Sequence, residues 1–330
     1  MEQKRIWLKG DTHLHTTNSD GIRTPEQLIG DCKKRGLDWI IITDHNYNTI
    51  GEKSYMDGEL LVIPGEEYTG DNGHLNIWGS NCPPIDKDKR PTEYEQYTLL
   101  AQKAHENGCT VSVNHPFCKK CGWHMELEGF PMDSVEVWNS PQHIDNMTNL
   151  DWWHKQLLKG RRLPLVGGSD YHRDYYVTKL LASPTTYVYA KSNTEEDILT
   201  ALRRGNSFVT NSPKSTKIIL SCGDAVMGDD VELTDDTEVT LAVEGMKKGM
   251  WVQIFNNDEI IYEYKATAKG NHTATVGDLK KGFVRAQILY DYTPIMRFAY
   301  KQIVKLWQPA DAKLPIPSFA WCMTNPLYLV

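Results

Sequence analysis

Apolar and polar positions follow two different rhythms along the 330-residue chain. In the first two-thirds, short apolar runs at 6–9, 39–43, 60–64, 74–78, 109–113, 134–138, 163–166 and 185–189 predict strands. Between them, 25–35, 94–107, 150–159 and 194–204 carry apolar residues at helical spacing. The first helix has its own punctuation, with Thr24 as N-cap, Pro25 at the first helical position and Gly36 as the stop. Strands alternating with helices predict parallel strands joined by crossovers, in an α/β barrel or a doubly wound sheet.

After about Ser212 the rhythm changes. Short strand candidates at 217–221, 238–244, 251–255, 260–264, 273–276 and 284–290 are separated by Gly, Asn and Asp. Val284, Ala286, Ile288 and Tyr290 alternate with their neighbours as a half-buried antiparallel strand requires. Asn256-Asn257-Asp258 predicts a hairpin turn. The expected organisation is an α/β unit over 1–212 and a β-sandwich over 213–330 that ends in a Pro-containing tail.

Composition narrows the classes. With 40% apolar and 24% charged residues the chain is neither disordered nor fibrous. Lys and Arg number 36 against 43 Asp and Glu, a formal charge of -7, so no nucleic-acid partner is expected. No window approaches the ~18 consecutive apolar residues of a membrane span, and residues 1–10 have charge without an apolar stretch, so neither a membrane partner nor a signal peptide is expected. Seven cysteines without framework spacing point to a reducing, cytoplasmic setting. Cys118 and Cys121 have C-x-x-C spacing, but no second pair accompanies them as a structural zinc site needs.

Ten of the eleven histidines lie at or before position 172. They sit, with carboxylates, where the predicted strands end. Asp11-Thr12-His13-Leu14-His15 follows the first strand, and residues two apart in extended backbone face the same way, so both imidazoles can converge on one ion. Asp44-His45-Asn46 ends the second strand and Glu66-Glu67 the third; His74, His115 and Asp170-Tyr171-His172 follow. In parallel α/β architectures the C-terminal strand ends form one pocket floor. An imidazole and carboxylate set without thiolate suits Zn, Mn or Fe.

These segments resemble the polymerase-and-histidinol-phosphatase (PHP) family of metallohydrolases. The matching stretches are GDTHLHTTNSDG at 10–21, ITDHN at 42–46, PGEEYTGDNGHLNIWG at 64–79, VNHP at 113–116, VEVWN at 135–139 and GGSDYH at 167–172. The C-terminal part resembles the carbaryl-hydrolase-type (CehA/McbA) branch. The resemblance implies a distorted (β/α)7 TIM-like barrel with two or three divalent ions (Mn, Zn or Fe). By motif, one ion would take His13, His15, Glu67 and Asp170. A second would share Glu67 and add His74 and His115, and a third would take Asp20, His45 and His172. The G-x-E motif at 65–67 selects Glu67 over Glu66.

The expected chemistry is hydrolysis of a small phosphomonoester or cyclic phosphodiester by a hydroxide bridging two ions, with Glu67, Asp170 and His172 at its centre. Asp11, Asp44 and Asn139 are candidates for orienting the ligand imidazoles or for purely structural pairing. Lys119, Lys120 and Arg173 are candidate phosphate-binding cations, and His124 or His143 could protonate a leaving group. Two alternatives stand beside this: a carbamate or carboxylic ester hydrolase using the same ions, and a ligand-binding protein working through Trp251, Tyr262 and Tyr264 of the sandwich.

Overall fold

The computed structural model describes residues 4–84, 92–140, 143–174, 179–307 and 309–330. The first part runs β1 (Ile6–Asp11), α1 (Pro25–Arg35), β2 (Trp39–Ile42), β3 (Tyr55–Asp57), β4 (Leu60–Gly70), β5 (Gly73–Trp78), α2 (Tyr94–Glu106), β6 (Thr110–Val113), β7 (Ser134–Asn139), α3 (Ile144–Leu158), β8 (Leu165–Gly168), β9 (Thr185–Ala190), α4 (Glu195–Arg204) and β10 (Ser207–Thr210). The second runs β11 (Lys217–Cys222), β12 (Ala225–Val226), β13 (Asp230–Val231), β14 (Val239–Met246), β15 (Trp251–Asn256), β16 (Glu259–Lys265), β17 (Gly270–Val276), β18 (Gly282–Tyr290), α5 (Pro294–Trp307), a 3-10 turn (Asp311–Lys313), β19 (Phe319–Thr324) and β20 (Leu327–Leu329).

The sheet of the first part has the order β10-β9-β1-β2-β4-β5-β6-β7-β8. β1, β2 and β4 are parallel, as are β6, β7 and β8, whereas β5 is antiparallel to both its neighbours. The sheet curls until β8 meets β9: the Thr186 hydroxyl donates to Gly167 O at 2.7 Å and accepts from Gly167 N at 3.1 Å. The fold is therefore mixed α/β with a curled sheet. Seven regular βα units are not reached among the described residues, because β4 returns directly as β5 through a two-residue turn that leaves no length for a helix.

Local signals hold where they were strongest. Thr24 Oγ1 accepts from Gln27 N while Gln27 Oε1 accepts from Thr24 N, and Gly36 closes α1 in the left-handed region. All four residues of β2 are buried, as a central parallel strand requires. Ile40 and Ile42 pack on Leu28 and Cys32 of α1, while Trp39 and Ile41 join Val166, Val188 and Leu202 of α4. Each such side chain contributes ~1.5–3 kcal/mol by leaving water.

In the second part, the four-stranded sheet β12-β11-β14-β17 faces β15 and β18 across a core that includes Ile218, Leu241, Ile254 and Ile288. Two features depart from expectation. The stretch expected as a tail forms β19, which pairs with β10 on one side and β18 on the other, so one sheet runs from the first part into the second. α5 lies in a stretch where the sequence predicted no helix. The Tyr262 hydroxyl lies 2.7 Å from His272 Nε2 and the Tyr264 ring stacks on the same imidazole at 4.0 Å, so both half-buried aromatics are engaged with His272.

Candidate metal centre

Strand geometry gathers donors that are up to 159 positions apart in the chain. Beyond β1, Leu14 turns into the core beside Leu28 and Ile40, which sends His13 and His15 to the opposite side. An isolated bridge sets His45, after β2, beside Glu67 of β4, and His74 of β5 stands opposite Thr69. His115 follows β6, and Asp170 and His172 follow β8. His13, His15, Glu67 and His115 are buried, while the Asp20 carboxylate stands open to solvent.

All nine residues proposed from sequence as ligands converge. His13 Nε2 lies 3.3 Å from Glu67 Oε1 and 3.4 Å from Asp170 Oδ1, and His15 Nε2 lies 3.6 Å from Glu67 Oε2 and 3.0 Å from Asp170 Oδ1. His74 Nδ1 and His115 Nε2 approach Glu67 Oε1 at 3.1 and 3.3 Å. Asp20 Oδ1 lies 3.0 Å from His172 Nε2 and 3.6 Å from His45 Nε2. The sets overlap more than expected: His15 also joins Asp20, His45 and His172, and His45 also joins Glu67 and His74.

The donors fit cations. The buried Nε2 atoms of His13 and His15 make no well-formed hydrogen bond despite carboxylate oxygens on hand. Distances of 3.0 to 3.6 Å match the ~3.4 Å edges of a tetrahedron whose centre is ~2.1 Å from each donor. Burial pulls the His13 ring toward neutrality, but the Asp170, Glu136 and Glu67 carboxylates outweigh it and raise its pKa well above the ordinary value. His115 is likewise carried to about 9 against its burial, mainly by Glu67. Burial opposes ionisation of Glu67 and Asp170, yet the surrounding imidazoles hold both carboxylates well below their usual range. Divalent ions entering this cluster would displace the imidazole protons that balance its buried carboxylates, which would stay as donors. His15 differs: burial lowers it to about 4, with the neighbouring His172 adding to the effect, so it offers a neutral ring.

A supporting layer fixes the rings, and its central member was missed from sequence. Glu136 Oε1 accepts from His13 Nδ1 at 3.0 Å and its Oε2 from His115 N at 3.1 Å, so one carboxylate orients two of the candidate ligand residues. The signal was a carboxylate between Val135 and Val137 in a strand whose valines face the core. Asn114 donates to Glu67 Oε1 at 2.9 Å, and His172 Nδ1 donates to Asp170 O at 2.9 Å, leaving Nε2 to face Asp20. Asp11, Asp44 and Asn139 touch no imidazole. Asp11 accepts from the amides of His13, Ser169 and Ala182, which ties the ends of β1 and β8 together. Asp44 accepts from Thr16 N and Oγ1 and from Ser19, holding the loop that leads to Asp20. Asn139 donates to Glu136 at 2.9 Å and Asp170 at 3.3 Å. Asp11 and Asp44 thus hold the strand ends and loop that carry the rings, and Asn139 holds the carboxylates behind them.

Backbone conformation is also committed to the site. His115 and Asp170 have φ of 28° and 47°, in the left-handed region that costs ~1–3 kcal/mol for such residues. Gly168 is required for a different reason: a Cβ there would lie 2.4 Å from His13 Cβ and 2.6 Å from Glu136 Oε1. Gly168→Ala is expected to displace His13 and weaken metal binding at least about tenfold, as loss of an outer orienting contact does. Metal titration of the variant checks this; unchanged affinity would show that the cluster has room to spare.

The candidate phosphate cations separate. Lys119 pairs with the buried Asp311, so its charge is already committed away from the cluster. Lys120 is exposed. Arg173 is exposed and lines a cavity of about 290 Å³ together with Asp170 and His172. His124 is exposed, and His143 caps α3 by accepting from Asp145 N. Cys118 and Cys121 place their sulfurs 3.1 Å apart, with the latter 3.7 Å from His115 Nδ1.

No family model matches the sequence. An uncharacterized protein of Methanocaldococcus jannaschii is 27% identical over 160 residues, 43% of this chain and 87% of that one. Among solved structures, a two-domain protein of Bacteroides vulgatus containing a predicted PHP-like metal-dependent phosphoesterase superposes with a TM-score of 0.52 at 21% identity. The match covers 86% of this chain and 90% of that one. The two proteins share a fold. The lesion-specific endonuclease of Pyrococcus furiosus matches at a TM-score of 0.42 and 14% identity over 67% of this chain.

Proposed function

We propose that this protein is a metal-dependent phosphoesterase whose centre, carried by residues 1–212, holds two or three divalent ions, with 213–330 as scaffold. The observation that carries the proposal is Glu67: one buried carboxylate meets His13, His15, His45, His74 and His115, the arrangement of a group shared between adjacent ions. The fold shared with a protein containing a PHP-like phosphoesterase supports it. Bound divalent ions would supply Lewis acidity and a water nucleophile active near neutral pH.

The chain's own residues do the rest. Glu136 keeps the His13 proton on Nδ1, so Nε2 faces the cluster. Asp170 and His172 connect the cluster to the cavity, where Arg173 offers a guanidinium to phosphate oxygens. A volume of about 290 Å³ suits a small phosphomonoester or cyclic phosphodiester. The relatives described above give the carbaryl-hydrolase branch no specific support.

The test compares para-nitrophenyl phosphate, bis-para-nitrophenyl phosphate and para-nitrophenyl acetate with added manganese. Phosphate ester turnover is expected to exceed acetate turnover and to vanish with a chelator. Faster acetate hydrolysis, or chelator-insensitive phosphate release, would overturn the proposal.

A further inference from the structure

We propose that α5 docks this protein onto an anionic lipid bilayer. The helix is apolar on two opposite sides. Val304 is buried against the body with Tyr300 half-buried beside it, while Ile295, Phe298, Ile303 and Leu306 on the outward side are between 54% and 82% exposed. A second apolar side left open to water is unusual for a helix already packed on one side, so this outward face calls for a cover.

Charge identifies the cover. No Asp or Glu occurs between positions 292 and 310, whereas Arg297, Lys301 and Lys305 do, in a chain of net charge -7. Lys301 and Lys305 are exposed, and among the described residues neither makes an ion pair. They are one turn apart along the border of the apolar face, where lysines can reach headgroups while the apolar side chains enter the acyl boundary. Beside them, Pro294, Arg297, Phe298, Lys301, Pro315 and Ile316 form a cavity of about 480 Å³. Arg297 is held there by Asp291 and the carbonyls of Tyr292 and Ile316, which leaves Lys301, beside the Phe298 ring, as the cation offered to a phosphate headgroup above its chains.

Other covers fit less well. A second copy would face Lys301 and Lys305 with its own, and the outward face of one 14-residue helix falls short of the ~800 Å² per partner of a stable interface. Nucleic acid would leave Ile295 and Leu306 without a role. Among the described residues no helix is long and apolar enough to cross a membrane, so the contact is docking in the interface plane. This departs from the expectation of no membrane partner, which rested on the lack of a spanning segment. The helix also adjoins the metal centre's surroundings: it packs on the 3-10 turn whose Asp311 pairs with Lys119, four residues past His115, and its Tyr300 lies beside Asp145.

The proposal does not depend on the phosphoesterase assignment. Full-length protein is floated with phosphatidylcholine vesicles with and without phosphatidylserine. Wild type is expected to bind the anionic vesicles, more weakly as salt is raised. Phe298→Glu and Leu306→Glu are each expected to lose at least about tenfold in binding with an unchanged circular dichroism spectrum. Lys301→Glu/Lys305→Glu is expected to abolish the preference for phosphatidylserine. Failure of wild type to bind, binding indifferent to all these variants, or a wild-type dimer that Leu306→Glu splits would each overturn the proposal.

Discussion

Glu67→Gln is expected to empty the metal centre and to lower hydrolytic activity by on the order of 10³-fold or more, well beyond the 10–100-fold that loss of an outer partner costs. The substitution keeps the shape and removes the charge from the one carboxylate that five imidazoles approach. Its amide nitrogen would then point a donor at ring nitrogens that are already donors when protonated. With no metal to compensate, removing one partner of this buried charge cluster costs ~3–5 kcal/mol of stability. Elemental analysis, single-substrate kinetics and a denaturant titration of the same preparation read the three effects. Metal content at the wild-type level with activity within about tenfold would mean that Glu67 is an orienting residue and the shared centre is misplaced.

Asn325→Ala is expected to destabilise the protein by about 3 kcal/mol and to lower its melting temperature by several degrees. Asn325 is fully buried, two residues before β20, and its amide imitates a neighbouring strand. Oδ1 accepts from Leu165 N at 2.8 Å, while Nδ2 donates to Leu165 O at 3.0 Å and to Ser207 Oγ at 2.8 Å. Alanine would leave both main-chain groups of Leu165 without partners in a dry interior, each an expense of ~1–3 kcal/mol. Because β8 leads directly to Asp170, metal affinity should fall with stability. Guanidinium unfolding with and without manganese measures both; a change under about 1 kcal/mol would show that water or a shifted strand satisfies Leu165.

The two contacts differ in how far the sequence revealed them. The convergence of the nine candidate residues was legible because metal chemistry constrains residue type: only a few side chains can serve, and they recur at strand ends in an order that topology makes meaningful. α1 was legible for a local reason, since a capping box and a terminal glycine act within a few residues. Glu136 was hidden by its setting, a lone carboxylate in an apolar strand that becomes intelligible only once His13, 123 positions away, lies against it. Lys119 looked like a phosphate cation by proximity to His115, and the buried carboxylate that claims it lies in a turn 192 residues further on.

By itself, then, the sequence determined the α/β rhythm of the first part, the antiparallel character of the second and the donor types of the candidate metal centre. Each of these follows from periodicity or from the chemistry of single side chains. Tertiary structure alone decided that β19 joins the two parts, because a strand buried on both faces shows no alternation to mark it. It alone decided that α5 is a helix exposed on an apolar side, because the sequence shows which residues are apolar but not which of the helix's two apolar sides meets the body. And it alone decided which imidazole meets which carboxylate, since that depends on strand register and curl, which arise from pairings far apart in the chain.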